Sequence, residues 1–398
     1  MKIVINAASA KMSGAVTYLT SLLEHLPPPE SGYQFFVFLR GETAKLLGDV
    51  PENIKVCALP SKDTDGWRRV WWEQITLRRF LRREKVDVLF SSANFAMFHC
   101  PVWQILLVRN AIYFSKMYQE TIVPRQSLRR RVRFALGHWL VRISARSADV
   151  VMTPTQAMLD QLCQYVDVPP HKALVNPYGV ELHNGRRMDT ARPPAREQTS
   201  PGSPARLLYV SLYGDNKDLN TLLRALVLLN RDGGAGFLLK TTANPHWSVA
   251  RNAVTLLGDI ALLQLPELAP RVQFAGPLGR AETERLYLEA DIFVFPSWLE
   301  SFGHPMVEAM AHGLPIVAAD TPVNREMCGE AALYFRARDP NDLAEKIRYL
   351  WADEALRQKL GQSGCARVAS HFKWGDHVAR LLAAAGLAPE SRILNPES

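Results

Sequence analysis

The stretch Ile292-Phe-Val-Phe-Pro-Ser-Trp-Leu-Glu300-Ser-Phe-Gly303-His-Pro305-Met-Val-Glu308-Ala-Met-Ala-His-Gly313-Leu-Pro-Ile-Val-Ala-Ala319 contains a complete unit of strand, loop, helix and strand. Its ends are short apolar runs, partly β-branched, which are typical of buried parallel strands. Pro305 suits the first helical position, where its missing N–H costs nothing, and Gly313 suits the position just past the helix end. The pattern therefore predicts an open α/β sheet, with a helix N-terminus at the carboxyl end of a strand.

Two carboxylates, Glu300 and Glu308, stand on either side of this helix start. Free backbone N–H groups and the positive end of the helix dipole favour an anion or a ring of hydroxyl groups there. Gly303 lets a ligand approach the backbone closely. Taken singly, Glu300 is better explained as a loop carboxylate and Glu308 as a solvated helix residue. Their fixed order with the glycine and the proline favours a ligand site, where each accepts hydrogen bonds from a different part of one ligand.

Short apolar runs alternate with amphipathic helical patterns on both sides of a polar, Arg- and Pro-rich stretch. This alternation predicts two Rossmann-like α/β domains, at residues 1–182 and 207–372, joined by a linker at 183–206 and facing each other across a ligand cleft. The uncharged run 88–108 contains polar residues and is interpreted as two strands with a loop, not as a membrane span. Predicted strands lie at 3–5, 35–39, 86–90, 103–108, 150–152, 207–210, 237–240, 272–274, 292–295 and 314–319, and predicted helices at 16–26, 71–81 and 219–229.

Two further loops carry candidate ligand contacts. Lys217 follows the first strand of the second domain and leads into a helix, where a lysine would neutralise a diphosphate. An exposed lysine without a ligand is the alternative. The small residues around Ser13 and Gly14, in the first strand-to-helix loop, permit backbone contact with a phosphate.

The composition is that of a soluble globular protein, with 47% hydrophobic and 22% charged residues. The five cysteines form no CxxC pair, which predicts reduced, mostly buried thiols in a cytoplasmic protein. We expect no secretory signal at the N-terminus. No His and Cys residues have the spacing of a zinc site, so no zinc site is predicted. No lysine motif for a pyridoxal cofactor is evident either, and we predict no bound cofactor.

Positive charge is concentrated in residues 1–180, which hold 23 Lys and Arg against 14 Asp and Glu. It clusters at 68–69, at 78–79, at 82–83 and between Arg125 and Arg133. A solvated helix face is one explanation, and a surface resting on the anionic inner face of a membrane is another. Nucleic-acid binding has the least support, because no DNA- or RNA-binding motif accompanies the charge.

Together these elements resemble the retaining glycosyltransferase family 4, of the bacterial surface-polysaccharide type, which has the two-domain GT-B fold. The resemblance spans nearly the whole chain. Its motifs are Ser13-Gly14, Trp72-Glu73-Gln74, the segment 148–156, Asn176-Pro-Tyr-Gly-Val180, Asn216-Lys217, Phe274-Ala-Gly276, Tyr287-x-x-Ala290-Asp291, Phe372-Lys-Trp374 and, most specifically, Glu300-x7-Glu308.

The resemblance implies roles for individual residues. Glu300 would contact donor-sugar hydroxyls, Glu308 the ribose, and Lys217 the phosphates of the departing nucleotide diphosphate, so that no metal is needed. Backbone N–H groups near Gly303 would hold the sugar and the diphosphate, and a last helix at about 373–388 would pack back on the N-terminal domain. The implied donor-binding residues are Gly14, Lys217, Glu300, Phe302, Gly303, His304, Met306, Val307 and Glu308.

The chain departs from the family pattern at two places. Leu212 stands where the family often has an arginine, so phosphate neutralisation would rest on Lys217 and backbone groups. Where the family often has a histidine in the N-terminal domain, this sequence offers Arg109 and Asn110. Asn110 is therefore the third candidate catalytic residue, beside Glu300 and Lys217.

These inferences predict a cytoplasmic, metal-independent, retaining hexosyltransferase, peripheral at the inner face of the membrane. It would use GDP-mannose or a UDP-sugar and extend a glycan or polyprenyl-linked acceptor in cell-surface polysaccharide synthesis. Two other classes stay open. A non-catalytic subunit that binds sugar nucleotides or glycans would explain the missing arginine and histidine. A glycoside hydrolase also uses two carboxylates, but its pair must flank one bond about 5–9.5 Å apart.

Overall fold

The computed structural model describes residues 1–10, 14–60, 66–181, 203–231, 236–246, 253–276 and 278–387. The chain divides into two compact units. The first unit comprises Met1–Phe114, Arg129–Gly179 and Trp374–Ser398, and the second comprises Ser115–Leu128 and Val180–Lys373. Ser13 and most of the predicted linker lie outside the described residues.

The first unit is built on a seven-stranded parallel sheet, in the order β3-β2-β1-β4-β5-β6-β7. Its central strands are buried on both faces, which explains why they read as unbroken apolar runs. The strands are β1 (Lys2–Asn6), β2 (Gln34–Arg40), β3 (Ile54–Leu59), β4 (Val88–Ser91), β5 (Trp103–Leu107), β6 (Val150–Thr153) and β7 (Ala173–Val175).

The second unit is built on a six-stranded parallel sheet, in the order β10-β9-β8-β11-β12-β13. In its centre Phe293 lies beside Leu208 on one neighbouring strand and Ile316 on the other. The strands are β8 (Ala205–Tyr209), β9 (Phe237–Thr241), β10 (Val272–Phe274), β11 (Ile292–Phe295), β12 (Ile316–Ala319) and β13 (Ala332–Phe335).

Helices connect the parallel strands, as crossover connections require. In the first unit they are α1 (Gly14–Glu24), α2 (Gly41–Ala44), α3 (Gly66–Trp71), α4 (Arg78–Arg83), α6 (Leu128–Ser147, of which Leu128 is counted in the second unit), α7 (Gln156–Cys163) and α15 (Trp374–Gly386). In the second unit they are α5 (Lys116–Thr121), α8 (Leu219–Leu229), α9 (Leu256–Leu263), α10 (Arg280–Glu289), α11 (His304–Ala311), α12 (Pro322–Cys328), α13 (Pro340–Ala352) and α14 (Glu354–His371).

Most strands lie where the sequence predicts them, and the run 88–108 forms two strands with a loop, as expected. The predicted helix at 71–81 differs, because a π-helical turn at Trp72–Leu77 separates α3 from α4. The strands β3, β7 and β13 were not predicted. Their burial is incomplete, with a mixed pattern in β3 and half-buried residues throughout β7, so the apolar runs there are weak.

The division of the chain departs from the predicted domain boundaries in three places. The first unit's middle segment ends at Gly179, before the predicted boundary at 182. Residues 115–128 belong to the second unit, where Tyr118 meets Trp298 with ring centroids 6.3 Å apart. Strand β8 begins at Ala205, so the predicted linker extends two residues too far.

The helix α15 lies in the first unit and is held there by the segment that directly follows β7. Asn176 Nδ2 donates to the His377 carbonyl at 3.0 Å, and His377 Nδ1 lies 3.0 Å from the Pro177 carbonyl. A Cβ on Gly179 would lie 2.3 Å from the Trp374 backbone nitrogen. The Asn-Pro-x-Gly motif at residues 176–179 therefore fixes the position of α15.

The cysteines are less buried than predicted. Cys328 and Cys365 are buried, Cys57 and Cys100 are half-buried, and Cys163 is exposed. All five lie within the described residues and none is in a disulfide. Across the described ranges, no helix has the length and apolarity that crossing a bilayer requires.

Candidate functional site

The loop between β11 and α11 has the backbone that its sequence predicts. Gly303 adopts φ +81°, a left-handed conformation that other residues rarely take, and a Cβ there would lie 2.5 Å from Met306 Cε. Helix α11 begins at His304, one residue before Pro305, and Gly313 ends it with φ +63°. The glycines at 303 and 313 are thus required by the turn and by the helix end.

The centre of the site is an ion pair between Lys217 and Glu300. Lys217 Nζ lies 2.5 Å from Glu300 Oε1, and the two side chains are 25% and 11% exposed. The residues lie at the carboxyl ends of β8 and β11, adjacent strands of the second sheet, so the sheet topology brings together groups 83 residues apart. The structure thus joins two of the three candidate catalytic residues.

The loop that carries Lys217 is fixed against the loop that carries Glu300. Asn216 Nδ2 donates to the Leu299 carbonyl at 2.8 Å, and Trp298 N–H donates to the Asn216 carbonyl at 3.1 Å. From below, the buried Tyr209 hydroxyl donates to the Lys217 carbonyl at 2.6 Å. These contacts position the ammonium group before any ligand arrives.

Two aspartates around Lys217 complete this support. Asp215 Oδ1 accepts from the N–H groups of Val254 and Thr255 at 2.6 and 3.0 Å. Asp218 adopts φ +52° and caps α8 through the Thr221 N–H at 3.4 Å. Burial raises the pKa of Asp218, opposed by its hydrogen bonds to Thr221. Sequence reasoning missed these residues, although an Asp immediately before an apolar helix is a recognisable cap.

The buried Asn324 was also missed. Its Nδ2 donates to the Ser297 carbonyl at 3.2 Å and to the Ala319 carbonyl at 2.8 Å. It therefore ties together the carboxyl ends of β11 and β12. Thr321 and Pro322 at the start of α12 predict a helix cap, but nothing local indicates that Asn324 reaches two strands.

Glu308 is a half-buried side chain with a defined partner, so its explanation as a solvated helix residue is wrong. The Tyr287 hydroxyl donates to Glu308 Oε2 at 2.7 Å, and the His312 ring stacks on Tyr287 at 5.1 Å. Burial raises the pKa of Glu308, while the Tyr287 hydrogen bond and the charges of His312 and Arg280 oppose that rise. One carboxylate oxygen is thus held by the protein.

Three of the implied donor-binding residues have buried side chains and could contact a donor only through their backbone. The side chains of Phe302, Met306 and Val307 are 1%, 0% and 0% exposed, so they belong to the core. The Met306 and Val307 N–H groups donate to the Gly303 carbonyl at 2.9 and 3.4 Å. These two amides therefore already have an acceptor within the first turn of α11. His304 is half-buried beside Phe302, with ring centroids 4.9 Å apart.

Gly14 and Asn110 belong to the first unit, whereas Lys217, Glu300 and Glu308 belong to the second. Gly14 is the exposed first residue of α1, and a Cβ there would meet nothing within 4 Å, so the fold does not require glycine.

Asn110 has a structural task in the first unit. Its Oδ1 accepts from the Ile112 N–H at 3.3 Å, capping a 3₁₀ turn, and its own N–H donates to Asn94 Oδ1 at 3.0 Å. Asn94 Oδ1 also accepts the Arg109 N–H at 2.9 Å, and the Arg109 guanidinium lies over the Tyr18 ring at 5.5 Å. Asn94, with φ +59°, is therefore the organising residue of this loop, and sequence reasoning missed it.

A buried polar cluster lies at the end of β1. Asn6 Nδ2 donates to Glu73 Oε1 at 3.1 Å, and Asn6 Oδ1 accepts the Ala8 N–H at 3.3 Å. Arg69 Nε lies 3.2 Å from Glu73 Oε1. Burial raises the pKa of Glu73, and Arg69 and Asn6 oppose that rise. Glu73 sits in the π-helical turn, a feature often found near functional sites. Through Asn6, the cluster shapes the first strand-to-helix loop.

The site in the second unit combines one cation, Lys217, with two carboxylates, Glu300 and Glu308, near the N-terminal end of α11. Such a set can pair with an anionic group and accept hydrogen bonds from hydroxyls. Within the described part of the chain, no three His, Cys, Asp or Glu side chains are grouped closely enough to hold a metal ion.

Family models match both halves of the chain. Residues 12–184 match the model described as Glycosyltransferase Family 4, and residues 193–367 match the model described as Glycosyl transferases group 1. The two matches follow each other along the chain, with residues 185–192 between them.

Among curated proteins, the chain is 29% identical over 288 residues to a D-inositol 3-phosphate glycosyltransferase of Nocardioides sp., covering 70% of this chain and 61% of that protein. It is 28% identical over 170 residues to the O-antigen chain mannosyltransferase B of Escherichia coli, covering 42% of each. The chain therefore spans less than two thirds of the length of these relatives.

Two solved structures have the same fold at low sequence identity. WaaG, a glycosyltransferase involved in lipopolysaccharide biosynthesis, matches with a TM-score of 0.68 and 15% identity over 96% of this chain and 98% of the other. Anabaena Alr3699/HepE in complex with UDP-glucose matches with a TM-score of 0.67 and 17% identity over 96% and 100%. With two parallel-sheet α/β units and both family models matched, the chain belongs to the family 4 glycosyltransferases of the GT-B fold.

Proposed function

We propose that this chain is a retaining, metal-independent glycosyltransferase that transfers a hexose from a nucleotide-diphosphate sugar to a glycan or lipid-linked acceptor in cell-surface polysaccharide synthesis. The observation that carries this proposal is the Lys217–Glu300 ion pair beside the Tyr287-held Glu308. This arrangement provides one positive group for the diphosphate and two carboxylates, one for the hydroxyls of the sugar and one for the hydroxyls of the ribose.

Lys217 is the group that faces the phosphates. An ammonium has three N–H donors, and the contact with Glu300 uses one, so the others are available to a diphosphate oxygen. As the bond between the anomeric carbon and the diphosphate breaks, negative charge accumulates on the departing nucleotide, and a positioned cation stabilises it. Because the loop is anchored by Asn216 and Tyr209, little reorganisation is needed.

Glu300 is the group that orients the sugar. Its Oε1 holds Lys217, which leaves Oε2 to accept from a sugar hydroxyl. The ion pair thereby couples the recognition of the sugar to that of the phosphates. A sugar bound to Glu300 changes the surroundings of Lys217, and a phosphate bound to Lys217 changes the surroundings of Glu300. The acceptor oxygen forms its bond on the face of the anomeric carbon that the diphosphate leaves, which gives retention, and the acceptor hydroxyl proton is released.

Glu308 is the group that binds the ribose. Tyr287 occupies Oε2, so Oε1 is available to the ribose hydroxyls. A carboxylate is the better acceptor when ionised, and burial raises the pKa of Glu308. Donor affinity should therefore fall on acidification at a higher pH than for an ordinary glutamate.

The comparisons support the choice of substrates. HepE is described in complex with UDP-glucose, and the Escherichia coli relative is named as a mannosyltransferase of O-antigen chains, which supports a UDP-sugar or GDP-mannose as the proposed donor. The O-antigen and lipopolysaccharide names support a surface-glycan acceptor. The basic clusters of residues 1–180 support a site of action at an anionic membrane surface.

The test is release of nucleoside diphosphate from a panel of UDP- and GDP-sugars, with and without lipid-linked and free glycan acceptors. We expect acceptor-dependent release with one donor, unchanged by EDTA, and an α-anomeric product from an α-linked donor by NMR. Tight donor binding without turnover would instead identify a non-catalytic subunit. Hydrolysis of a nitrophenyl glycoside without any nucleotide would identify a hydrolase.

A further inference from the structure

The helix α6 presents an exposed apolar stripe. Leu128, Val132, Leu136 and Trp139 are 73%, 60%, 39% and 54% exposed. At 3.6 residues per turn their spacing places all four within about 80° around the helix. Exposed large apolar residues are common one by one, but a continuous row on one helix indicates an interaction surface.

The opposite face of α6 is packed against the first unit. Gly137 is buried, and a Cβ there would lie 2.7 Å from the Tyr113 ring. His138 Nδ1 lies 2.7 Å from the Tyr113 carbonyl, and Val141 and Ser144 are buried. The helix is therefore held in one orientation, and the apolar stripe points away from the unit that holds it.

Arginines flank the stripe. At 100° per residue, Arg129 lies on one side of it and Arg131 on the other, and both are exposed. Arg130, Arg133, Arg142 and Arg146 complete a helix that contains no Asp or Glu between residues 128 and 147. An apolar band bordered by cations is the arrangement of helices that lie flat in a lipid interface.

We propose that α6 is an interfacial helix that docks the first unit on an anionic phospholipid bilayer. The stripe enters the boundary between headgroups and acyl chains, and Arg129 and Arg131 meet lipid phosphates. The proposal rests on the membrane part of the proposed function and assigns to it a surface that would bring a lipid-linked acceptor to the enzyme.

Other occupants fit the same surface less well. Nucleic acid would pair with the arginines but would leave Val132 and Trp139 in water. A second copy of this chain would cover the apolar residues but would bring two rows of arginines together, and like charges at an interface are unfavourable. An anionic bilayer satisfies both the apolar and the charged residues.

The test is co-sedimentation of the full chain with vesicles of phosphatidylcholine alone or mixed with phosphatidylglycerol. Two variants probe the two parts of the surface, Val132→Ser/Leu136→Ser/Trp139→Ser and Arg129→Gln/Arg131→Gln. Their matched controls remove exposed residues of the second unit, Leu257→Ser/Tyr349→Ser and Lys359→Gln/Lys373→Gln.

We expect binding to the mixed vesicles only, weakened about tenfold or more by each α6 variant and unchanged by either control. Circular dichroism checks that the variants are folded. Equal binding of wild type and the apolar-stripe variant would overturn the proposal, as would concentration-dependent dimers that this variant abolishes. Because no donor sugar is present, a failed binding test leaves nucleotide release with a soluble acceptor intact, so the two proposals fail separately.

Discussion

The two units hold their polar clusters together in different ways. In the second unit, Lys217 and Glu300 lie on loops that follow adjacent strands, and short hydrogen bonds such as Asn216 to Leu299 join those loops directly. In the first unit, Asn6 at the end of β1 meets Glu73 from a distant π-helical turn. A site built from strand-end loops is visible in the sequence, whereas one completed by a helix interior is not.

The largest effect is expected at Lys217, because it is the cation of the second-unit site. Lys217→Ala should lower kcat by about 10²–10³-fold, as does the loss of one positioned group that stabilises developing charge. Nucleoside diphosphate release measures it. Lys240→Ala, which removes a lysine paired with Glu289 in the same unit, should leave the rate unchanged. Equal losses in both variants would contradict the assignment.

The next largest effect concerns how the stability of the first unit depends on pH through His377. Burial lowers the pKa of His377 from 6.5 to about 4, so the unfolded chain binds the proton more tightly between these values. The contribution of neutral His377 to the free energy of unfolding is complete above about pH 6.5. It is lost as the pH falls toward 4, and the loss amounts to roughly 3 kcal/mol. Urea unfolding at a series of pH values measures it.

His377→Gln should flatten this pH dependence, whereas His171→Gln at an exposed position should keep it. A variant at 377 with the slope of the wild type would show that other groups cause the loss.

The cluster at the end of β1 should contribute to stability. Glu73→Ala leaves Arg69 and Asn6 without their carboxylate partner and should lower the free energy of unfolding by about 2–3 kcal/mol, less than for a fully buried pair because Arg69 is partly exposed. Urea unfolding measures it, with Glu84→Ala as the control for a loosely paired glutamate. If both substitutions cost the same, the cluster has no special role.

The smallest effect concerns Tyr287, the partner of Glu308. Tyr287→Phe removes one hydrogen bond and should weaken donor binding about tenfold, with kcat at saturating donor nearly unchanged. Isothermal titration with the donor measures it. A change in kcat without a change in donor affinity would place Tyr287 in the reaction and not in ribose binding.

The contrast between the units also explains how far the sequence could predict the molecule. Gly303, Pro305 and Gly313 mark the ends of α11 by their own backbone restrictions, so that loop was predicted to within one residue. The burial of Met306 and Val307 was not predicted, because it depends on strands and helices that pack from elsewhere in the chain.

In the first unit, contacts between residues distant in sequence could not be predicted, because local sequence patterns do not encode them. The bond between Asn6 and Glu73 spans 67 residues, and the cap that Asn94 gives to Arg109 and Asn110 depends on how a loop folds back. The role of Asn110 in that loop competes with its predicted place in catalysis. Neither could be read from spacing, since the same residue types occur at many exposed positions.

The seating of α15 has a consequence for how the protein is made. Trp103 Nε1 donates to the Ala384 carbonyl at 3.1 Å, and the Tyr18 hydroxyl lies 3.0 Å from His377 Nε2, so α15 completes a unit whose other segments come before residue 180. The helix α15 follows the whole of the second unit along the chain, so it is the last described part of the first unit to be synthesised. Until α15 is made, Tyr18 and Trp103 lack these partners, so the first unit can be completed only after the second has been synthesised.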